Sequence, residues 1–170
     1  RGKGLSAAIP VAVILGLLKD REKQQNTIET AIEKINLRLI EMFDYKVTST
    51  ASAVTLHANG DIFLYNAGGP GWFIANQEGM DTLLIRNNPL GINKFCRLNY
   101  LKTILQPNSN LFTFSDGYIE SSRNIKALER KIRQSKDKFS NDAQFIHNML
   151  KDLENDDYTD DQTLLSITAL

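Results

Sequence analysis

Leu111-Phe112-Thr113-Phe114-Ser115-Asp116-Gly117-Tyr118-Ile119-Glu120 changes character halfway, from an apolar, aromatic run to a polar turn. The first four residues predict a strand, and Ser-Asp-Gly predicts the turn that ends it. A carboxylate in that place is held by the sheet while its oxygens face a cleft, which suits a hard cation. Asp160-Asp161-Gln162-Thr163 repeats the design in reverse, because it immediately precedes an apolar run over 163–168. Asp116 and Asp160, from distant parts of the chain, could therefore share Mg²⁺ or Mn²⁺ ions. Spacing alone leaves open the alternative that both are turn aspartates bonding their own backbone.

Outward from these two points the chain alternates runs of strands and helices. The spacing predicts one helix over 5–20, with Pro10 inside it and so a kink or a late start. A second is expected over 27–43, capped by Asn26 with Glu29 at the capping-box position. Ile28, Ile32, Ile35, Leu39 and Met42 form its apolar stripe. Residues 52–57 and 62–65 flank Asn59-Gly60, which predicts a hairpin with a type I′ turn. Further strands are expected over 72–75, 82–85, 98–104 and 111–114, with turns at Glu78-Gly79 and Pro107-Asn108. Two helices over 126–134 and 142–153 and a last strand over 163–168 complete an α+β arrangement of sheets covered by helices.

The bulk composition narrows the function classes. The 170 residues fit one domain, and 42% hydrophobic with 24% charged residues is ordinary for a globular protein. Lys plus Arg equals Asp plus Glu at 20 each, so no overall field draws the chain to nucleic acid or to an anionic membrane. The single Cys96 rules out an internal disulfide framework and a cysteine zinc cluster, which points to the cytoplasm. Residues 5–18 are uncharged, but they are too few to span a bilayer, which takes about 20 residues, and predict a buried helix instead.

Other patterns have bland explanations. The acidic stretch 152–161 offers no window with both the Gly and the Glu of a calcium loop. Gly2-x-Gly4-x-x-Ala7 imitates a dinucleotide fingerprint but lacks the strand that must precede it and the βαβ unit that must follow. His57 and His147, the two histidines, have no nucleophile beside them in a triad-like pattern and read as surface or packed side chains.

Five short elements remain, in this order: Gly2-Lys3-Gly4-Leu5-Ser6-Ala7-Ala8, Asn66-Ala67-Gly68-Gly69-Pro70, Pro89-Leu90-Gly91-Ile92, Ser115 to Glu120, and Asp160-Asp161-Gln162-Thr163. Together they resemble the PPM (type 2C) metal-dependent protein phosphatases, in the bacterial SpoIIE/RsbU-like branch. Gly69 departs from the pattern, since relatives usually have His there. The resemblance implies a layered α/β/β/α sandwich of mainly antiparallel sheets with a two-metal Mn²⁺ or Mg²⁺ cleft at one end. Asp116 and Asp160 would be metal ligands; Gly2, Gly4, Ser115, Gly117 and Asp161 would support them. The implied reaction is hydrolysis of phosphoserine or phosphothreonine on a regulatory protein such as an anti-sigma-factor antagonist. A non-catalytic module of the same fold that binds a protein partner is the rival reading.

The same match puts Arg1 at the third position of the family's Asp-x-x-Gly. The aspartate that bridges both metals is then expected two residues upstream, together with the family's first strands. On that alignment the chain as given is expected to hold metal weakly and not to catalyse. An unpaired sheet edge, open to self-association, is expected as well.

Overall fold

The computed structural model describes residues 5–24, 27–94, 98–116, 118, 122–134, 143–151 and 162–169. Helix α1 (Leu5–Gln24) starts ahead of Pro10 and continues past Asp20, so the late start is not observed. Pro10 is buried, and Ile14, Leu17 and Leu18 pack toward the core. The opposite face corrects the expectation of a buried helix: Ile9, Val11 and Leu15 are 44%, 54% and 56% exposed. A helix that is apolar on all sides has no polar face to turn outward, so packing on one side leaves apolar residues on the other.

Helix α2 (Ile28–Phe43) is capped by Thr27 rather than Asn26, which lies outside the described residues. The extended backbone of Thr27 lets its hydroxyl accept from the Thr30 N–H at 3.3 Å. With Thr27 as the cap, Thr30 and not Glu29 stands at the capping-box position, and the Glu29 carboxylate accepts from the buried Tyr65 hydroxyl. Ile32, Ile35 and Leu39 are buried as expected, but Met42 is 45% exposed and Phe43 packs in its stead. The helix stops at Asp44, in left-handed backbone with φ 48°, whose N–H returns to the Ile40 carbonyl at 2.8 Å.

The remaining elements are β1 (Ala51–Leu56), β2 (Asp61–Ala67), β3 (Trp72–Asn76), β4 (Gly79–Leu83), β5 (Tyr100–Ile104), β6 (Asn110–Phe114), α3 (Ser122–Gln134), α4 (Ala143–Lys151) and β7 (Leu164–Thr168). The β1–β2 hairpin forms, but its turn is not type I′. Asn59 does not take positive φ; only Gly60 does, at 87°. The Gly60 N–H donates to the His57 carbonyl and the His57 N–H to the Asp61 carbonyl, both at 2.9 Å. This is a three-residue loop, a type I turn followed by a glycine bulge. Asn59 is occupied differently: its side chain accepts from the Asp61 N–H at 3.1 Å. The strand expected over 82–85 sits at Gly79–Leu83, because Gln77-Glu78 alone make the turn and Gly79 already faces Asn76.

The strands form two antiparallel sheets, ordered β1-β2-β5 and β4-β3-β6-β7. Ile32, Ile35 and Leu39 pack with Tyr65 and Ala67, so α1 and α2 cover the first sheet. Ile62, Leu64, Trp72 and Leu111 fill the space between the sheets. Phe73, Phe112 and Phe114 lie against Leu128, Ile132, Ile146 and Leu150, so α3 and α4 cover the second. The expected α/β/β/α layering is therefore the observed one. Trp72 bridges its middle, donating its indole N–H to the Tyr65 carbonyl of the other sheet at 2.9 Å. Among the described residues no helix is long and apolar enough to cross a membrane.

Candidate active site

Strand β6 is buried from Asn110 to Phe114, and the chain leaves it at Ser115. The Ser115 N–H donates to the Thr163 carbonyl and the Ser115 hydroxyl accepts from the Thr163 N–H, both at 2.9 Å. The Ser115 carbonyl accepts from the Tyr118 N–H at 3.2 Å, which closes a turn around Asp116. Asp116 is thus held at the sheet end with its side chain exposed. Tyr118 is buried, and its hydroxyl meets His147 Nδ1 of α4 at 2.8 Å. His147 is accordingly a packed histidine that anchors the far side of the turn.

Asp116 lines a cleft of about 540 Å³ where the two sheets end together. Thr50 and Ser52 come from the start of β1, and Gly68, Gly69 and Pro70 from the β2–β3 connection. Thr113 and Ser115 come from the end of β6 and Thr163 from the approach to β7, with Phe114, Ile125 and Leu165 beneath. Asp116 is the one charged side chain among the described lining residues.

The glycine wall is built by residues that the sequence marked only as motif. Asn66, 5% exposed, donates through Nδ2 to the Gly69 carbonyl at 3.1 Å and accepts from the Ser52 hydroxyl at 3.1 Å. A Cβ on Gly69 would stand 2.8 Å from Asn66 Oδ1, so a histidine here would displace the Asn66 side chain. Gly68 has φ +71°, and a Cβ on it would meet the Pro89 ring at 2.4 Å. Two of the quoted elements, Asn-Ala-Gly and Pro-Leu-Gly, are therefore one packed unit. Leu90 pairs with Ser49, and the Gly91 N–H donates to Asn36 of α2 at 2.8 Å, which ties that unit to the helix layer.

The structure brings Asp116 and Ser115 to this cleft. Gly2, Gly4, Gly117, Asp160 and Asp161 lie outside the described residues. Among the described residues no group of three His, Cys, Asp or Glu side chains is placed to hold a metal ion. The side-chain donors that are present, the Asp116 carboxylate and the hydroxyls of Thr50, Ser52, Thr113, Ser115 and Thr163, are all oxygens. That donor chemistry fits Mg²⁺ or Mn²⁺ rather than a soft metal. Sequence reasoning missed Thr50, Ser52 and Thr113 as cleft residues; isolated small polar residues carry no signal until the strands are paired.

Among solved structures, the PP2C phosphatase domain of the Bacillus subtilis cell fate determinant SpoIIE, with a fragment of its regulatory domain, matches at TM-score 0.73 and 20% identity. The match covers 98% of this chain and 51% of that one. The RsbU and RsbW domains of a Mycobacterium tuberculosis protein match at TM-score 0.73 and 17% identity, over 97% and 48%. RsbX in complex with magnesium matches at TM-score 0.69 and 17% identity, over 97% and 75%. The chain spans about half the length of the first two. No curated protein matches it. The sequence model of the stage II sporulation protein E (SpoIIE) family matches residues 1–169. With that match along the chain and the PP2C layering in its sheets, this chain belongs to the SpoIIE family.

Proposed function

We propose that this chain is the phosphatase domain of a Mn²⁺- or Mg²⁺-dependent protein-serine/threonine phosphatase. The observation that carries the reading is Asp116, held by the Ser115 turn at the rim of a hydroxyl-lined cleft at the sheet ends. Asp116 and Asp160 are the proposed metal ligands, with Gly2, Gly4, Ser115, Gly117 and Asp161 in support. Thr163, bonded to Ser115, is three residues past Asp160, a span of at most about 11 Å of chain, which favours a shared site. Bound cations would supply charge neutralisation at the phosphoryl oxygens and activation of water. A structural neighbour solved with magnesium supports the choice of a hard divalent ion.

The chain's own residues shape access. Asn66 and Ser52 hold the Gly68–Pro70 wall, and the small side chains there let a phosphorylated loop come close to the backbone. The proposed substrate is a phosphorylated regulatory protein of the cytoplasm, such as an anti-sigma-factor antagonist, with neither nucleic acid nor membrane insertion involved. Self-association through an edge strand is the accompanying proposal; β1 and β7 are edges of their sheets.

The test is hydrolysis of phosphoserine peptides and an aryl phosphate by the full-length protein. Activity should need Mn²⁺ or Mg²⁺ and vanish with EDTA. Asp116→Ala should lower turnover by about two orders of magnitude or more, the loss expected on removing a direct ligand. Its unfolding midpoint should stay within about 2 °C, since an exposed side chain contributes little to stability. Near-normal turnover in this variant would overturn the assignment, and wild-type inactivity with intact partner binding would favour the non-catalytic module.

A further inference from the structure

We infer that Ser115 is a positioning residue that sets the geometry of the metal-binding carboxylates by clasping together the two stretches that carry them, an inference that rests on the metal-dependent reading above. Regular pairing between β6 and β7 ends at Phe114 opposite Leu164. One residue further, a regular ladder would have Ser115 and Thr163 exchange two backbone hydrogen bonds. Only one is backbone to backbone, from the Ser115 N–H to the Thr163 carbonyl at 2.9 Å. The return bond goes from the Thr163 N–H to the Ser115 hydroxyl, also at 2.9 Å. The hydroxyl thus takes the place of the backbone carbonyl in the ladder. The carbonyl is thereby available to the Tyr118 N–H, at 3.2 Å, and closes the turn that holds Asp116.

The consequence is specific to the hydroxyl. With alanine at position 115 the Thr163 N–H loses the hydroxyl, and its regular ladder acceptor is the Ser115 carbonyl, which the Tyr118 N–H already holds in the turn. Either the approach to β7 or the Asp116 turn shifts to bring that N–H to the carbonyl, or the N–H goes unbonded and the approach to β7 loosens. Each outcome changes how Asp116 stands relative to Thr163, which follows Asp160 by three residues in the sequence. Threonine carries the same hydroxyl and preserves both bonds.

The experiment compares Ser115→Ala and Ser115→Thr with the wild type in the full-length protein. Mn²⁺ binding is followed by calorimetry, and turnover of an aryl phosphate is measured as a function of Mn²⁺ concentration. Ser115→Ala should weaken Mn²⁺ binding about tenfold or more, as for other residues that orient a ligand. Turnover at low Mn²⁺ should fall along with the binding, and raising Mn²⁺ should recover part of it. Ser115→Thr should restore Mn²⁺ affinity. Unchanged Mn²⁺ affinity in Ser115→Ala overturns the inference. Amide hydrogen exchange in the wild type supplies a measurement that needs neither metal nor a folded variant. The Thr163 and Tyr118 amides should exchange as slowly as those of β6, and exchange at the rate of an open loop overturns the clasp. If the wild type binds no Mn²⁺ and turns nothing over, the metal reading falls, while the exchange result still judges the clasp.

Discussion

Replacing Gly68 by alanine tests whether the cleft wall is a packed unit. Two costs follow from its surroundings. At φ +71° an L-residue sits in the left-handed region, which costs about 1–2 kcal/mol. The added Cβ would also stand 2.4 Å from Pro89 Cγ and 2.9 Å from its Cβ and Cδ. A rigid ring cannot swing away, so the 89–91 segment must retreat by about 1 Å, an overpacking cost of roughly 1–3 kcal/mol. The sum is about 2–5 kcal/mol, and a domain of this size loses about 2–4 °C of midpoint per kcal/mol, so a fall of roughly 10 °C is expected. Gly60→Ala is the control. Gly60 also has positive φ, at +87°, but open space where the Cβ would go, so it should show the strain alone. Thermal unfolding of the two variants by calorimetry separates the terms. A Gly68→Ala midpoint no lower than that of Gly60→Ala would refute the contact with Pro89 as a source of stability.

Two further tests address the layer beneath. Burial would raise the Glu29 carboxyl, but hydrogen bonds from the Tyr65 hydroxyl, its own N–H and Thr27 outweigh it and hold the pKa low; burial and the Glu29 charge push Tyr65 well above its usual value. The depressed Glu29 stabilises the fold above the ordinary carboxylate pKa and loses that effect as pH falls through its folded value. The raised Tyr65 stabilises below about pH 10 and loses that effect as pH rises further. Denaturant midpoints should fall on both sides, and Tyr65→Phe should lessen the alkaline fall; an unchanged alkaline limb in that variant contradicts the assignment. Asn36, 1% exposed, accepts from the Gly91 N–H and donates to the Asn93 carbonyl, both at 2.8 Å. Asn36→Ala should cost about 2–4 kcal/mol in urea unfolding, and a loss under about 1 kcal/mol would show the two bonds to be dispensable.

Much of the fold is legible in the sequence because periodicity reports which face of an element is buried. The Ile32, Ile35 and Leu39 stripe, the β1–β2 hairpin and the strand-turn at Phe114–Asp116 all follow from local pattern. The discrepancies arise where a local signal had a competitor. Asn59-Gly60 favours a type I′ turn, yet the Asn59 side chain bonds the Asp61 N–H and a bulge forms instead. Thr27 caps α2 one residue later than Asn26 would, and Glu29 is drawn to Tyr65, a partner 36 residues away. At the site, the strand end that carries Asp116 is legible, because an apolar run followed by Ser-Asp-Gly ends a strand in a turn. Ser52 is not, because its bond to Asn66 exists only once β1 lies beside β2.

Trp72 gives this architecture a built-in optical reporter. It is the one tryptophan of the chain, fully buried, and its indole N–H is spent on a carbonyl of the opposing sheet. An indole in a dry apolar setting emits at shorter wavelength than one in water, so the emission colour registers whether the two sheets are in contact. Because the cleft opens at the ends of those same sheets, one unlabelled fluorophore can follow the sandwich coming apart and any parting of the sheets when the cleft is filled.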